Sequence, residues 1–256
     1  VLDDYHVIQA QAVHDAVAFL LDHAPPQLHL IIATRADPPL PLARLRGRGQ
    51  LDELRAADLC FTLDETSCFI EHVTHRALPT QEAEALTART EGWAAGLQIA
   101  ALSLQKQPEV AQFIQTLAGS NRNILDYLLE ETLQHQPKDW QSFLLKTSIL
   151  DRLSSAVCEA VTGRTDSQAM LEELDKANLF IIALDEDRRW YRYHRLFADL
   201  LRQRLQLLHP DELPGLHQRA SEWYDRQGFA ADAIEHALVA KNHQQAARLI
   251  EKAAET

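Results

Sequence analysis

The chain has 256 residues, 46% of them hydrophobic and 24% charged, which is enough apolar sequence for one large domain or two to three small ones and argues against a disordered protein. Its formal net charge of −12 argues against nucleic-acid binding by this chain itself, because phosphate contacts require clustered positive charge. No apolar run reaches transmembrane length, and the three cysteines, Cys60, Cys68 and Cys158, are typical of reduced core thiols in a cytoplasmic protein.

The first predicted elements alternate between strand and helix. Val1 and Leu2 have the character of the end of a strand, and residues 9–24 carry apolar side chains at helical spacing. Residues 28–34 form a continuous apolar run, the pattern of a strand buried on both faces of a parallel sheet. A strand, a helix and a second strand in this order predict a parallel α/β layer.

Charged residues follow both of these strands, at the edge where parallel sheets bind ligands: Asp3 and Asp4 after the first strand, and Arg35 after the second. Two acids in this position can hold Mg²⁺ and orient an attacking water in a nucleotidase. An arginine on the neighbouring strand can stabilise the charge of a γ-phosphate. A helix cap with a surface ion pair explains the same residues, and so short a pattern does not decide between the two interpretations.

A phosphate-binding loop of the pattern G-x-x-x-x-G-K-[ST] does not occur in the 256 residues. Lys146-Thr147-Ser148 contains the lysine and threonine, but no glycine precedes them and the segment is predicted to be helical. If the acids hold a metal, we expect the phosphate-binding half of the site upstream of Val1. The chain would then be the later part of a larger nucleotide-binding domain.

The middle of the chain is predicted to be mainly helical. A basic helical turn follows the prolines at 38–41, and residues 51–54 have the pattern of a short strand. Thr62 and Glu65 form a capping box that opens a helix. Further helices are predicted at 80–90, 98–104, 121–136, 138–150, 154–161 and 166–177.

Three residue types in this helical part are candidates for binding. Small residues around Gly92 permit close backbone approach, and Trp93 beside it packs either on a ligand or in the core, the core being the more ordinary place for a tryptophan. His72 and His75 have no third ligand at a suitable spacing, so we interpret them as solvated histidines rather than metal ligands.

The period of the apolar pattern then changes from helical to alternating, which predicts a hairpin of strands at 179–184 and 190–193 around a polar turn. His194 lies where the second strand meets a helix at 196–208, and helices followed by a hairpin describe a winged helix. The helix before the hairpin is acidic, which disfavours DNA phosphates and favours an intramolecular role. Short helices at 213–227, 230–240 and 243–254 predict one and a half helical-repeat units, a length that suggests truncation.

Six stretches in this order resemble the MalT-like branch of the STAND regulators: VLDDYH, LHLIIATRADPPLPLARLRGRGQLDELRAADLCFT, EGWAAGLQIAALSL, FLLKTSIL, WYRYHRLFADLLRQRL and HQRASEWYDRQGFAADAIEHAL. Members of this family are signal-transducing ATPases, commonly LuxR-type bacterial transcriptional activators. The resemblance covers essentially the whole chain, and it strengthens the metal-site interpretation of the two acids.

The resemblance implies roles for individual residues. Asp3 and Asp4 match the Walker B acids, for Mg²⁺ and for activation of water, and Arg35 matches the arginine after the sensor strand. Gly92 and Trp93 match the segment near the nucleotide base. His194 matches the winged-helix histidine that reaches the phosphates in the closed, ADP-bound state. The sequence departs from the family in lacking both a phosphate-binding loop and a LuxR-type helix-turn-helix, which places ATP turnover and DNA binding by this chain itself in doubt.

The resemblance also implies an architecture that is mainly α with a small parallel α/β remnant. Residues 1–60 would be the end of an AAA-like P-loop NTPase domain, 61–119 a helical lid, 120–208 the winged helix and 209–256 the start of a TPR-like sensor. ATP or ADP with Mg²⁺, and a small-molecule or protein inducer, would then control self-association on DNA, which a separate C-terminal domain would contact. The alternative is a non-enzymatic helical interaction module that kept the fold and lost nucleotide use. No motif of another hydrolase class occurs.

Overall fold

The computed structural model describes residues 1–25, 27–105, 128–134 and 136–254. Residue contacts divide the chain into two units. The first unit contains Val1–Leu59 and Glu173–Leu179, and the second contains Cys60–Glu172 and Phe180–Thr256. The helix predicted at 121–136 lies mostly outside the described residues, which show a π-helical turn at Leu129–Leu133.

The first unit contains the predicted parallel pairing in a reduced form. Leu2 forms a parallel bridge with Ile32, through hydrogen bonds of 2.8 Å from Leu2 N to Ile31 O and from Ala33 N to Leu2 O. The predicted helix is present as α1 (Gln11–His23). The expectation that residues 28–34 are buried on both faces is wrong, because Leu28 and Ile31 are exposed where the strand pairs on one side with a single bridge.

The strand predicted at 51–54 is also wrong. Those residues form neither a strand nor a helix, and they lie between α2 (Leu42–Gly47) and a 3₁₀ turn at Ala56–Leu59. Glu53 accepts hydrogen bonds from Arg46 and also contacts the Arg55 guanidinium. Side-chain ion pairs therefore hold the segment where a sheet ladder was expected.

The helices of the second unit begin with α3 (Leu63–Thr74), α4 (Thr80–Thr90) and α5 (Ala94–Leu104). The capping box is confirmed: Glu65 N donates to Thr62 Oγ1 at 3.3 Å, and Thr62 N donates to Glu65 Oε2 at 2.8 Å. The three helices bury Ile70, Leu86 and Leu97 completely, which forms their shared core.

The predicted winged helix is confirmed. It contains α6 (Lys138–Thr147), α7 (Ser155–Thr162), α8 (Ser167–Lys176), strands β1 (Ile181–Ala183) and β2 (Tyr191–Tyr193), and α9 (Arg195–Leu208). The strands are antiparallel, with Ile182 opposite Arg192. Leu153 adds an antiparallel bridge to Tyr191, which the sequence did not predict because a single paired residue has no periodic pattern.

The chain continues in α10 (Leu213–Gln227), α11 (Ala230–Val239) and α12 (His243–Ala254). Each packs against the next, and buried alanines at the contacts allow close approach. Ser221 Oγ donates to Ala233 O at 2.8 Å across the first of these contacts. This arrangement matches the short helices predicted at 213–254.

The cysteine prediction holds for one residue in three, because Cys158 is buried while Cys60 and Cys68 are exposed. Within the described ranges, no helix is both long and apolar enough to cross a membrane. The same residues contain no group of three or more histidine, cysteine, aspartate or glutamate side chains arranged to hold a metal ion.

Candidate functional site

In the first unit, the structure brings the acidic and basic candidates to one edge of the paired segments. Tyr5 N donates to Ala33 O at 3.1 Å, so Asp3 and Asp4 leave their strand beside the point where the partner strand continues to Arg35. Asp3 and Asp4 are both exposed. The backbone therefore follows the predicted course at these three residues.

Asp4 has a backbone conformation that non-glycine residues rarely adopt, with φ at 50° and ψ at 39°. Its own N–H donates to Asp3 Oδ1 at 2.9 Å, which ties the Asp3 carboxylate to the backbone of Asp4. Asp4 precedes the 3₁₀ turn Tyr5–Val7 without a side-chain capping bond. The helix-cap interpretation of this aspartate is therefore not realised.

In the second unit, Gly92 lies against the backbone of Phe61. Phe61 N donates to Gly92 O at 2.8 Å, and a Cβ added at Gly92 would lie 2.3 Å from Phe61 O. The φ of Gly92 is +72°, which also favours glycine. The close backbone approach expected from the small residues is therefore present.

Trp93 packs beside His194. Their ring centroids are 6.1 Å apart and nearly perpendicular, and Phe180 makes edge contacts with both rings at 5.2 and 5.8 Å. The second unit thus gathers Gly92, Trp93 and His194 in one place, although His194 lies 104 positions from Thr90 in the chain.

His194 is buried, with 8% of its surface exposed. Its Nε2 lies 3.0 Å from Thr90 O, so Nε2 carries a proton and donates it to that carbonyl. Burial lowers the pKa of the imidazole, although the charge of Glu91 opposes this effect. The neutral ring then presents an unprotonated Nδ1, which has no hydrogen-bond partner in the part of the chain that the structure describes. To donate to a phosphate from Nδ1, this histidine must gain a proton or change its contact with Thr90.

Glu91 is a site residue that the sequence analysis did not identify. Arg192 Nη1 and Nη2 each donate to one of its carboxylate oxygens at 2.8 Å, and the backbone N–H of Arg195 donates to Oε1 at 3.0 Å. Burial of Glu91 opposes ionisation, but these hydrogen bonds and the neighbouring positive charges outweigh it and lower the pKa of the carboxyl. A pair 101 positions apart leaves no local signal in the sequence.

Arg195, to which the sequence analysis gave no role, also contacts the end of α4. Its guanidinium donates to Ala88 O at 3.1 Å. The last carbonyls of a helix have no partners within the helix and carry partial negative charge. Ala88 and Thr90 therefore provide acceptors that suit a guanidinium and an imidazole N–H.

These contacts form a clasp between the C-terminal end of α4 and the wing, consisting of Thr90 and Glu91 on one side and Arg192, His194 and Arg195 on the other. Every member of the clasp is a charged or hydrogen-bonding group. Glu91 also has a backbone φ of 50°, which non-glycine residues rarely adopt. Such a contact is directional, and a competing ligand or a change of protonation can open it.

Comparison with known proteins places these elements in a family. The model of the MalT winged helix domain matches residues 129–213. The chain is 40% identical over 244 residues to the HTH-type transcriptional regulator MalT of Serratia proteamaculans, covering 94% of this chain and 27% of that protein. It is 34% identical over 252 residues to the serine/threonine-protein kinase PknK of Mycobacterium tuberculosis, covering 98% of this chain and 23% of the kinase.

The chain spans about a quarter of the length of these relatives. A MalT of Yersinia enterocolitica is likewise 40% identical over 242 residues. The matched region of the family model contains β1, β2 and the clasp residues Arg192, His194 and Arg195. The chain is therefore MalT-like along nearly all of its length, and residues 129–213 are a winged helix domain of the MalT family.

Proposed function

We propose that this chain is the switch segment of a MalT-type transcriptional regulator, in which bound ATP or ADP controls whether the clasp is closed. The observation that carries this proposal is the clasp itself. It joins the wing to the segment Gly92-Trp93 that family resemblance assigns to the nucleotide base, and it contains the histidine that the family assigns to the phosphates.

The residues fit a nucleotide with Mg²⁺ in two respects. Two exposed carboxylates follow a paired apolar segment. Carboxylate oxygens are the donors that Mg²⁺ prefers. His194 also has a buried ring nitrogen that lacks a partner among the described residues, which is uncommon unless a ligand or water uses it. When bound, the nucleotide would supply phosphate charge, and Mg²⁺ would neutralise part of it.

Each residue has a proposed role in that switch. Asp3 holds the metal, and Asp4 orients the attacking water. Arg35 stabilises the charge of the terminal phosphate. Gly92 and Trp93 lie near the base, and His194 reports phosphate occupancy to the wing by exchanging its contact with Thr90 O.

The regulator as a whole would then use residues 1–60, 61–119, 120–208 and 209–256 as nucleotide domain, lid, winged helix and start of a TPR-like sensor of the LuxR-type protein. An inducer on the sensor would favour opening of the clasp, and the open form would self-associate. DNA contact belongs to a further domain in this proposal, since a net charge of −12 disfavours it here.

The test uses the protein at the length that its gene encodes, with binding of a fluorescent, non-hydrolysable ATP analogue measured in Mg²⁺. We expect Arg35→Ala and Asp3→Ala each to weaken binding at least about tenfold, as loss of a charge-assisted contact does. Asp15→Asn removes an exposed carboxylate on α1 and serves as the matched control. Unchanged binding in both site variants would refute the nucleotide assignment.

The second candidate is a non-enzymatic helical interaction module. The observation in its favour is that protein groups alone close the clasp, since Glu91 accepts hydrogen bonds from Arg192 and from the backbone of Arg195. It predicts that a reporter gene under this regulator responds normally when Asp3→Ala and Arg35→Ala are combined. Loss of the response in that double variant, with the protein still folded, would exclude the module.

A further inference from the structure

A cavity of about 460 Å³ lies in the second unit beside the clasp. Charged side chains from three elements line it: Arg89 of α4, Arg192 of β2, Arg195, Asp199 and Arg202 of α9, and Asp151. No role assigned above uses Arg89, Asp199 or Arg202. The cavity therefore calls for an explanation independent of the nucleotide switch.

One face of α9 forms the longest wall of this cavity. Arg195, Ala198, Asp199 and Arg202 recur at spacings of three and four residues, which places them on a single side of a helix. The small Ala198 leaves space between the two guanidinium groups. The helix thus presents two arginines, two turns apart, towards the same cavity.

The lining carries excess positive charge in a chain that is acidic overall. Four guanidinium groups and two carboxylates leave a net charge of +2 at the cavity, whereas the whole chain carries −12. A phosphate monoester carries about −1.5 to −2 at neutral pH, which matches this excess. Arginine forks also suit phosphate geometry, because each presents paired N–H groups in one plane.

The arginines of the cavity differ in the number of hydrogen bonds and ion pairs that they make with the protein. Arg192 is engaged by Glu91, and Arg202 donates to Ser148 O at 2.8 Å and to Asp151 at 2.7 Å. Arg89 is partly buried and makes no close hydrogen bond or ion pair within the described residues, although its charge acts on the Asp199 carboxylate. An arginine at a cavity wall whose counter-charge makes no close ion pair with it can bind an anion from outside the protein.

Asp199 is the carboxylate that opposes anion binding most directly. Burial raises the pKa of this carboxyl, even though Arg202, Arg89 and Arg195 all favour its charged form. It lies 3.8 Å from Arg202 and has a quarter of its side chain exposed. Removal of its charge would raise the net charge of the cavity without removing any donor.

We propose that this cavity binds the phosphate group of a small phosphorylated molecule, held between Arg89 on α4 and the arginines of β2 and α9. Its lining includes none of the proposed nucleotide residues Asp3, Asp4 and Arg35. A ligand that contacts both Arg89 and Arg192 would link α4 to the wing, as the clasp does, and would stabilise the closed arrangement.

The experiment is isothermal titration calorimetry of the 256-residue chain with inorganic phosphate, with sodium chloride at equal ionic strength as the reference. We expect saturable binding in the millimolar range for the unaltered protein. Arg89→Gln should weaken it about tenfold, and Asp199→Asn should tighten it severalfold. Arg226→Gln removes an exposed arginine of α10 that lies outside the cavity and should leave the affinity unchanged.

Three results would overturn the proposal: no saturable binding, equal binding by the unaltered protein and Arg89→Gln, or equal effects of chloride and phosphate. A thermal melt of each variant verifies folding. If Arg89→Gln is unstable, Asp199→Asn still tests the proposal, because it should raise the affinity for phosphate rather than lower it. Phosphate binding that Arg35→Ala abolishes and Arg89→Gln leaves intact would place the anion at the proposed nucleotide site, which would refute the cavity and leave the proposed function standing.

Discussion

Arg192 donates to both carboxylate oxygens of Glu91 at 2.8 Å, and this pair joins strand β2 to the residue that follows α4 across 101 positions of sequence. The Glu91 side chain is 16% exposed and the Arg192 side chain 33% exposed. Because the guanidinium meets the carboxylate with two parallel hydrogen bonds, the pair has the geometry of a strong charge-assisted contact.

Replacement of this carboxylate should loosen the clasp. Glu91→Gln keeps the shape of the side chain but leaves Arg192 partly buried without its counter-charge, so we expect the free energy of unfolding to fall by about 1–3 kcal/mol. Urea denaturation followed by circular dichroism measures this. Glu84→Gln, at an exposed position of the same helix, should change stability by less than about 0.5 kcal/mol. Equal costs for the two variants would show that the pair contributes nothing.

Gly92 should be irreplaceable by alanine. Its φ is +72°, and a new Cβ would lie 2.3 Å from the backbone oxygen of Phe61. Because this neighbour is a backbone atom, it cannot move aside as the end of a flexible side chain could. We expect Gly92→Ala to destabilise the protein by about 2–4 kcal/mol. Gly163 is the matched control, because its φ is +75° but a Cβ there would meet nothing within 4 Å.

Gly163→Ala therefore isolates the backbone cost, which we expect to be about 1 kcal/mol. The difference between the two variants in urea midpoint measures the close approach alone. If both alanine variants lose the same stability, the contact between Gly92 and Phe61 is not tight in solution.

The helical part of this fold could be predicted closely from the sequence, and the clasp could not. Helices α4, α10 and α12 begin and end where the sequence predicted, because the apolar period lies within each helix and a glycine lies close to the end of α4 and of α10. Glu91 and Arg192 have no such signal, because their pairing depends on how α4 packs against the wing. The family resemblance identified site residues such as His194, but not the residues that they contact. Those contacts also depend on how α4 packs against the wing.

The predicted strand at 51–54 was wrong for a related reason. Leu51 and Leu54 have a pattern that a strand also has, but a strand requires a neighbour with free backbone groups. The ion pairs of Glu53 with Arg46 and Arg55 hold this segment instead, and side-chain pairing of that kind is not visible in the apolar period.

A histidine pair between α10 and α11 should make stability depend on pH. His217 Nδ1 and His236 Nδ1 are 2.8 Å apart, so one ring must be a neutral acceptor. Burial, with the nearby positive charges of His236 and Arg202, lowers the pKa of His217 from 6.5 to about 4, and burial also lowers that of His236.

A lowered pKa means that the unfolded chain binds protons before the folded chain does. Stability should therefore be complete above pH 6.5 and fall as the pH is lowered from about 6.5 to about 4. His217→Gln should flatten the dependence in this window, as measured by urea midpoints at several pH values. His243→Gln, an exposed histidine of α12, is the control for loss of a histidine. A slope that survives His217→Gln unchanged would assign the dependence to other groups.

Tyr193 and Thr147 should show an asymmetric energetic coupling. The Thr147 hydroxyl donates to Phe143 O at 2.7 Å, so its oxygen accepts the hydroxyl proton of Tyr193 across a 2.7 Å contact between β2 and α6. Both groups are buried, and burial raises the pKa of the Tyr193 phenol. Tyr193→Phe removes the donor, and the Thr147 hydroxyl still donates to Phe143 O, so no buried polar group is left without a partner. We therefore expect the free energy of unfolding to fall by about 1 kcal/mol.

Thr147→Val should cost more, about 1–3 kcal/mol, because it leaves the Tyr193 hydroxyl buried without its acceptor. The double variant should then lose less than the sum of the single losses, since the phenylalanine no longer presents the stranded group. Urea denaturation of the four proteins in this cycle measures the coupling. Strictly additive losses would mean that the Tyr193 hydroxyl finds another partner in solution, and the contact between β2 and α6 would then rest on apolar packing alone.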